Sequence, residues 1–116
     1  SGDYYGKTRA ARIATEMAEQ SARYRETELQ SEYRQALQEY QKWQHSWQYY
    51  QETAMPLAAE QQKGALLALK EGAVEYVAFI RMLDEVVQVE LNALAALENY
   101  LQAQAELQFY LNNKAN

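Results

Sequence analysis

Turn-forming residues are almost absent from this chain, and their scarcity most constrains its fold. The 116 residues include one proline, Pro56, and four glycines, at positions 2, 6, 64 and 72. Glycine and proline punctuate secondary structure, so a chain with so few of them has few elements, and each must be long. Alanine, leucine, glutamate and glutamine, which are good helix formers, dominate the composition. The sequence predicts an all-α protein with one helical domain over residues 1–116.

Gly72 is predicted to be the point at which the chain reverses. Strong helical patterns lie on both sides of it, and Val74 and Tyr76 follow it closely. Glycine commonly ends a helix in the left-handed conformation, because it has no Cβ to clash there. We expect a long antiparallel helical hairpin, with helix 1 over about residues 7–71, a tip at about 72–74 and helix 2 over about 75–112.

Large apolar side chains recur along helix 1 at alternating spacings of three and four residues. This heptad pattern is typical of coiled-coil packing, in which one side of a helix lies against a neighbour. Most of these residues are aromatic, which suits an open interface better than a tight two-stranded coil. The predicted helix-packing seam consists of Leu29, Tyr33, Tyr40, Trp43, Trp47 and Tyr50 in helix 1 and of Leu83, Val87, Leu91, Leu94 and Leu101 in helix 2.

Pro56 interrupts the pattern of helix 1, and two outcomes are open there. A proline inside a helix removes one hydrogen bond and clashes with the carbonyl four residues back, at a cost of about 3 kcal/mol. The helix either kinks and continues, or ends near Thr53 and restarts with Pro56 in its first turn. The kink is favoured, because no glycine or asparagine precedes the proline to stop the helix. The apolar stripe changes phase here and is expected to continue through Ala59, Leu66 and Leu69.

The two predicted helices differ in length, which leaves part of helix 1 without a partner. If the chain turns at Gly72, residue 112 lies opposite about residue 33, and residues 5–32 project by about 40 Å. A lone helix of this kind is unstable in water. Either the chain self-associates, or helix 1 folds back at the proline into a three-helix bundle. Self-association through residues 8–54 is favoured, as a dimer or a larger oligomer.

Charge and hydropathy argue against two classes of partner. The formal net charge is −5, and lysine and arginine are mixed with glutamate along the whole chain. Nucleic-acid binding needs a clustered basic face, so no nucleic-acid partner is expected. No run of 18 apolar residues occurs, so no direct membrane insertion by this segment is expected.

The residues predict neither a catalytic site nor a metal site. His45 is the single histidine and lies on a polar face, and the chain has no cysteine, so the ligands of a metal site are missing. Acidic pairs such as Asp84 and Glu85 suit a solvated helix face better than acid–base catalysis, which needs burial in a cleft. We expect a protein that is not an enzyme and holds no cofactor.

Four segments resemble the TolC-like outer-membrane efflux proteins, in the order in which that family has them. Residues 72–77 (GAVEYV) resemble the family's tip, a glycine followed four residues later by tyrosine and an apolar residue. Residues 94–107 (LAALENYLQAQAEL) resemble its returning helix, and residues 5–10 (YGKTRA) resemble the exit from its β-strands. Residues 50–58 (YQETAMPLA) resemble its heavy-metal branch. The resemblance covers nearly the whole chain. Within the family, the chain is similar to the TolC-like segment fused to CzcA/CusA-type pumps.

This resemblance implies that the chain is a fragment of a larger efflux protein, a trimeric exit duct in a Gram-negative envelope. In the family, helical hairpins stand side by side in the periplasm and form the wall of the duct. Their tips dock on a periplasmic adaptor that belongs to an inner-membrane pump, and the implied cargo is heavy-metal cations. The matching adaptor-contact residues of the tip are Gly72, Ala73, Val74, Glu75 and Tyr76.

The resemblance also points to pore-facing residues near the tip. Well-known members carry acidic residues six and nine positions after the tip glycine, where this chain has Ala78 and Arg81. Arg81 and Asp84 are the candidates for pore-facing positions here. Their spacing of three residues would let them pair on one helix face.

A second function, from a different class, fits the residues alone. The aromatic heptad pattern from Leu29 to Ala54 would let the chain act as a stand-alone protein–protein interaction module that binds a partner helix. The gene sequence upstream separates the two hypotheses, because a duct protein continues there into β-strands or a pump.

Overall fold

The chain forms one long helical arm and one shorter return arm, joined by a tight turn. The structure, a computed structural model, describes residues 2–115. Helix α1 spans Gly2–Tyr49, a π-helical turn spans Tyr50–Ala54, and α2 spans Met55–Lys70. After the tip, α3 spans Tyr76–Ala115. The described residues are 96% helical and include no strand, which confirms the predicted all-α helical hairpin.

The three helical segments before the tip form one continuous rod, called the long arm from here on. The principal extents of the molecule are 103, 24 and 13 Å, and the radius of gyration is 28.1 Å. A compact chain of this length would have a radius of gyration of about 13 Å. At about 1.5 Å per residue, the long arm alone accounts for the greatest extent. The long arm therefore does not fold back at the proline, and the structure is not a three-helix bundle.

Pro56 lies at the start of α2 without breaking the long arm. The residues before it keep right-handed helical dihedrals, with φ and ψ of −68° and −46° at Ala54 and of −68° and −43° at Met55. The N–H of Met55 donates to the carbonyl of Tyr50, five residues back, as in a π-helix. In a regular α-helix, the ring of Pro56 would clash with the carbonyl four residues back. The wider π-helical turn relieves this clash and lets the helix continue. The predicted alternative, a stop near Thr53, is wrong.

The π-helical turn also explains why the apolar stripe changes phase. Ahead of the turn, aromatic residues follow heptad spacing. Beyond it, the buried residues Ala58 and Ala65 lie one position later than an uninterrupted heptad would place them. One extra residue in a π-helical turn produces a shift of that size. Of the predicted continuation, Ala59 and Leu66 are exposed and lie one residue beyond the buried positions, whereas Leu69 is half-buried as expected.

Gly72 ends the long arm in the conformation that the sequence predicts. Its φ is +73°, in the left-handed region that favours glycine. The N–H of Gly72 donates to the carbonyl of Leu69 at 3.1 Å, and the N–H of Ala73 donates to the carbonyl of Ala68 at 2.8 Å. The two bonds form a Schellman motif, which satisfies carbonyls at the end of α2. The turn at Gly72 is therefore confirmed, and the return arm begins at Tyr76.

The two arms approach each other mainly through small side chains. Alanine at the contact lets the helix axes come close, and the larger side chains then lie around the contact. No buried polar or charged residue interrupts this interface in the part of the chain that the structure describes. Its buried residues are Ala36, Ala58, Ala65, Val86, Ala93, Ala96, Ala103 and Leu107.

The first part of α1 extends beyond the end of α3 and lies against no other element. Every residue from Gly2 to Gln30 is exposed. Tyr110, near the end of α3, interacts with Glu32, which marks where the pairing of the arms stops. This agrees with the predicted unpaired length, and residues 2–30 are called the overhang from here on. The helix of the overhang begins at Gly2 rather than near residue 7.

Gly64→Ala is expected to stabilise the hairpin by about 0.5–1 kcal/mol, because alanine has the higher helix propensity. Gly64 lies inside α2, and an added Cβ would meet no heavy atom within 4 Å. Chemical denaturation followed by circular dichroism measures the change. Gly72→Ala is the matched control, since it places a Cβ at a φ of +73° and is expected to lower stability. Equal effects at the two sites would contradict the role given to the turn.

Candidate functional site

The predicted adaptor-contact residues lie together at one end of the rod. Gly72, Ala73 and Glu75 are exposed, Val74 is half-buried, and Tyr76 is 67% exposed. The carbonyl of Glu75 accepts a hydrogen bond from the N–H of Phe79 at 3.0 Å, which anchors the first turn of α3. The Tyr76 ring lies with its centroid 6.5 Å from that of Phe79. The tip therefore offers a tyrosine and a carboxylate on a rigid turn, which suits contact with another protein.

Arg81 and Asp84 lie on the first turns of the return arm, and both are exposed. Among the residues that the structure describes, the one ion pair joins Lys63 to Glu60, with N and O 3.5 Å apart. Arg81 and Asp84 do not pair with each other, so the predicted pairing is corrected. Two exposed side chains on one helix gain little from an ion pair against the entropy that it costs.

Two tyrosines meet between the arms in the middle of the hairpin. The hydroxyl oxygens of Tyr40 and Tyr100 are 3.4 Å apart, and the ring centroids are 5.5 Å apart. The hydrogen bond with Tyr40 raises the pKa of Tyr100, and desolvation raises it further. A polar pair between two helices favours the alignment in which it forms.

The aromatic side of the long arm is already covered within the chain. Tyr33, Tyr40, Trp43, Trp47 and Tyr50 are half-buried, whereas Leu29 lies at the edge of the overhang and is exposed. On its solvent side, the Trp43 indole donates to the Glu39 carboxylate at 3.1 Å, and the Lys42 ammonium lies 4.7 Å from the centre of the ring. The return arm is thus the helix that occupies this seam.

On the return arm, the structure corrects the predicted packing seam for contacts within the chain. Leu83 is half-buried, but Val87, Leu91, Leu94 and Leu101 are exposed. The residues that face the long arm are mostly alanines, which the sequence interpretation passed over in favour of larger side chains. Their heptad-like spacing was the available signal. The buried set in α3 is Val86, Ala93, Ala96, Ala103 and Leu107.

The exposed apolar residues of α3 form a surface of their own, which we call the second stripe. Four of its members recur every seven residues, and the fifth lies between two of them, so all lie along one side of the helix. Between 36% and 61% of each side chain is exposed. Contiguous apolar surface of this kind usually marks a site of protein contact. The second stripe consists of Ile80, Val87, Leu91, Leu94 and Leu101.

The end of α3 leaves an open groove against the long arm, where the overhang begins. Leu29 and Tyr33 line it from α1, and Tyr110 and Asn113 line it from α3. Desolvation raises the pKa of the Tyr110 hydroxyl, and the negative charge of Glu32 raises it further. The groove marks the border between the covered and the uncovered parts of α1.

Residues 2–115 contain neither a candidate membrane span nor a candidate metal site. No helix there has the length and apolar character needed to cross a membrane. No three side chains of histidine, cysteine, aspartate or glutamate are grouped so that they could hold a metal ion. His45 is exposed on α1. The features that remain for function are the tip, the second stripe and the overhang.

Comparison with known proteins adds no relative to this picture: no protein-family model, curated protein or solved structure matches the chain.

Proposed function

We propose that the chain is the periplasmic helical segment of a TolC-like efflux duct. In this role it catalyses no reaction. Its arms form part of the conduit wall, and its tip docks on a periplasmic adaptor. The observation that carries the proposal is the tip itself, a glycine-closed turn with an exposed tyrosine at the end of a rod 103 Å long.

The two apolar sides of α3 support a place in a wall of helices. A helix inside such a wall has a neighbour on each side and needs apolar side chains toward both. The return arm has the buried alanines toward its own long arm and the second stripe on another side. In the proposed trimer, the second stripe lies against the next hairpin.

The proposal places the chain in the periplasm of a Gram-negative envelope. Its partners there are an adaptor protein, which meets residues 72–76, and an inner-membrane efflux pump. Arg81 and Asp84 face the pore near the tip. The proposed cargo, heavy-metal cations, rests on the resemblance of residues 50–58 alone.

A stand-alone interaction module is the second candidate function. One observation favours it: every residue of the overhang is exposed, so this helix has a side free for a partner. The aromatic seam is less suited to this role than the sequence suggests, because the return arm already covers it. A partner helix would instead use the overhang or the second stripe.

Gly72→Val is expected to weaken binding of the tip to the adaptor by at least about tenfold, while the helical content changes little. Valine is β-branched and strongly disfavours the left-handed conformation that the turn needs, at a cost of at least about 1–2 kcal/mol. The helices on both sides keep their own hydrogen bonds. Calorimetric titration with the periplasmic adaptor of the same efflux system measures binding, and circular dichroism measures helicity.

Gly64→Val is the control, because Gly64 is an exposed glycine in α2, away from the tip, with open space around it. Equal adaptor binding by Gly72→Val and the unmodified chain would contradict the proposed docking tip. Loss of most of the helical signal in Gly72→Val would also contradict it. An upstream gene sequence that encodes β-strands or a pump supports the duct, whereas a reading frame that begins near Asp3 supports the interaction module.

A further inference from the structure

We infer that two copies of this chain bind each other as an antiparallel dimer, in which the second stripe of one α3 lies along the second stripe of the other. The inference uses neither the tip nor the resemblance, so it does not rest on the duct function. It follows from four properties of α3: the direction in which the second stripe faces, its length, its exposed area and the charges beside it.

The second stripe lies on the back of α3, away from the long arm. The mean direction of its side chains is roughly 160° round the helix from that of the buried residues of α3, at about 100° per residue. A helix of a second copy can therefore lie along this side without meeting the long arm. Because the dimer uses the same single surface of each copy, a two-fold axis completes both halves of the contact and closes the assembly.

The apolar side of α3 is long enough for two helices to pair along it. Four members of the second stripe recur at every seventh residue, and Val77 and Leu91 each lie three residues before one of them. From Val77 to Leu101 this heptad pattern covers more than three repeats and about 36 Å, a length typical of coiled-coil pairing. The long arm already holds α3 as a helix, so association does not have to order it.

The exposed area of this side suits a dimer of modest affinity. Val77 and the five residues of the second stripe each expose between 36% and 61% of their surface. Pairing of two copies removes apolar surface on the order of 1,000 Å² from water, about the smallest area that a specific interface buries. An interface of this size favours a dissociation constant in the micromolar range over a permanent dimer.

Two acidic residues on the same side decide the orientation of the pair. Asp84 and Glu98 each lie seven residues from Leu91, so they share its position in the heptad. In a parallel pair in register, each of these acids faces the same acid of the partner subunit, and like charges in contact oppose association. An antiparallel pair avoids this, because one heptad position then faces different residues of the other copy.

One antiparallel register also brings opposite charges together. With the two-fold axis at Val89, residue 77 lies opposite residue 101, and the two apolar sides overlap over their whole length. In this register Glu98 lies beside Arg81 of the partner subunit, within about 1.5 Å along the axis, and the symmetry makes this contact twice. Within one molecule, Arg81 and Glu98 are about 25 Å apart along α3, so they cannot pair there.

Glu90 is the like charge that remains near the axis. It is exposed at the edge of the contact, where it approaches Glu90 of the partner subunit. Exposed charges interact weakly, so the two contacts between Arg81 and Glu98 outweigh this repulsion. Glu90→Gln is expected to tighten the dimer about twofold to fivefold in sedimentation velocity. A looser dimer in this variant would place the axis elsewhere and overturn the register.

The dimer and the side-by-side duct use the second stripe in different ways. In the duct, the tips of neighbouring hairpins point in the same direction, whereas in the dimer they point in opposite directions. A chain paired in this dimer therefore cannot occupy a place in the wall at the same time. Adaptor binding tests the tip, and the experiments below test the second stripe, so each proposal can fail without the other.

Disulfide cross-linking of Val77→Cys/Leu101→Cys tests the arrangement directly. The chain has no cysteine of its own, and both side chains are exposed. Within one molecule the two positions are about 36 Å apart along α3, so they cannot join there. We expect oxidation to convert most of this variant into a covalent dimer on a non-reducing gel. Val77→Cys/Gln104→Cys is the control, because Gln104 is exposed roughly 110° round the helix from the apolar side, and it is expected to stay mostly uncross-linked.

The single-cysteine variants report on the parallel arrangement. Only a parallel pair brings position 77 against position 77, or position 101 against position 101. Efficient cross-linking of Val77→Cys alone or of Leu101→Cys alone would therefore overturn the antiparallel dimer. Equal cross-linking of the two double variants would also overturn it, because the contact would then not depend on the second stripe.

A charge exchange tests the register by sedimentation velocity. Arg81→Glu and Glu98→Arg each place like charges together at both contacts and are expected to raise the dissociation constant at least about tenfold. The double variant Arg81→Glu/Glu98→Arg keeps the net charge of the unmodified chain and restores opposite charges, so we expect a constant within about threefold of the original. A double variant as weak as the single variants would overturn the register.

Leu94→Glu tests the apolar contact itself and is expected to raise the dissociation constant at least about tenfold. Gln104→Glu adds the same charge outside the apolar side and is expected to change it by less than about threefold. Circular dichroism checks that both variants keep their helices. An unmodified chain that stays monomeric would overturn the inference. A dimer that Leu94→Glu leaves unchanged would overturn it in favour of a contact through the overhang.

Discussion

Ala93→Glu is expected to separate the return arm from the long arm, with a loss of about 2–4 kcal/mol in the free energy of unfolding. Ala93 is 2% exposed and belongs to the buried alanine contact between the arms. A glutamate there is too large for the space and brings an unpaired charge into an interface without buried polar groups. Most of the stability of helices in proteins comes from packing against a neighbour, so loss of this contact lowers the helical content as well.

Ala95→Glu is the matched control for this substitution. Ala95 lies two residues further along α3 and is exposed, and glutamate is a good helix former there. Its effect is expected to stay within about 0.5 kcal/mol. Urea denaturation followed by circular dichroism measures both variants. If the two substitutions cost the same, the close alanine contact between the arms does not hold the hairpin together.

Removal of one residue from the long arm is expected to lower stability only slightly inside the π-helical turn and strongly outside it. In a Pro56→Ala background, which removes the ring that disfavours a regular α-helix, deletion of Gln51 is expected to cost less than about 1 kcal/mol. The π-helical turn holds one residue more than an α-helical turn, and Gln51 is exposed within it. Its loss restores α-helical spacing and leaves the faces on both sides unchanged.

Deletion of Gln41 in the same background is expected to cost about 3 kcal/mol or more. Gln41 is exposed in α1, where no extra residue exists to be lost. Its removal rotates one part of the long arm by about 100° relative to the rest. Either Ala36 and Tyr40 or the aromatic residues beyond them then leave the seam, at about 1.5–3 kcal/mol for each large side chain exposed. Thermal and urea denaturation compare the two deletions. Similar stabilities of the two deletion variants would show that the π-helical turn does not set the phase of the apolar stripe along the long arm.

Several features of the fold could be predicted from sequence because they depend on local chemistry. Gly72 reverses the chain, since glycine alone reaches a φ of +73° without strain. The length difference between the arms follows by counting from that turn. The break in phase near Pro56 was visible in the apolar pattern, but its form was not. A π-helical turn depends on a hydrogen bond from Met55 to Tyr50 that no residue type specifies by itself.

The contact surfaces of α3 were harder to predict because two apolar patterns share one helix. Leu94 and Ala93 are neighbours in sequence, yet the first is 61% exposed and the second is buried. Hydrophobicity favours the leucine as the core residue. The interface selects the alanine, because close approach of two helices needs small side chains at the contact. Periodicity identifies both apolar patterns of α3 but cannot show which of them packs against the long arm.

The sequence by itself determined that this protein is helical, that it turns at Gly72 and that its arms are unequal. Helix propensity and the left-handed glycine decide these features locally, within a few residues. Only the tertiary structure decided which side of α3 meets the long arm, and hence which side stays exposed as the second stripe. That choice depends on the distance between two helix axes, a quantity that arises only when both helices pack together.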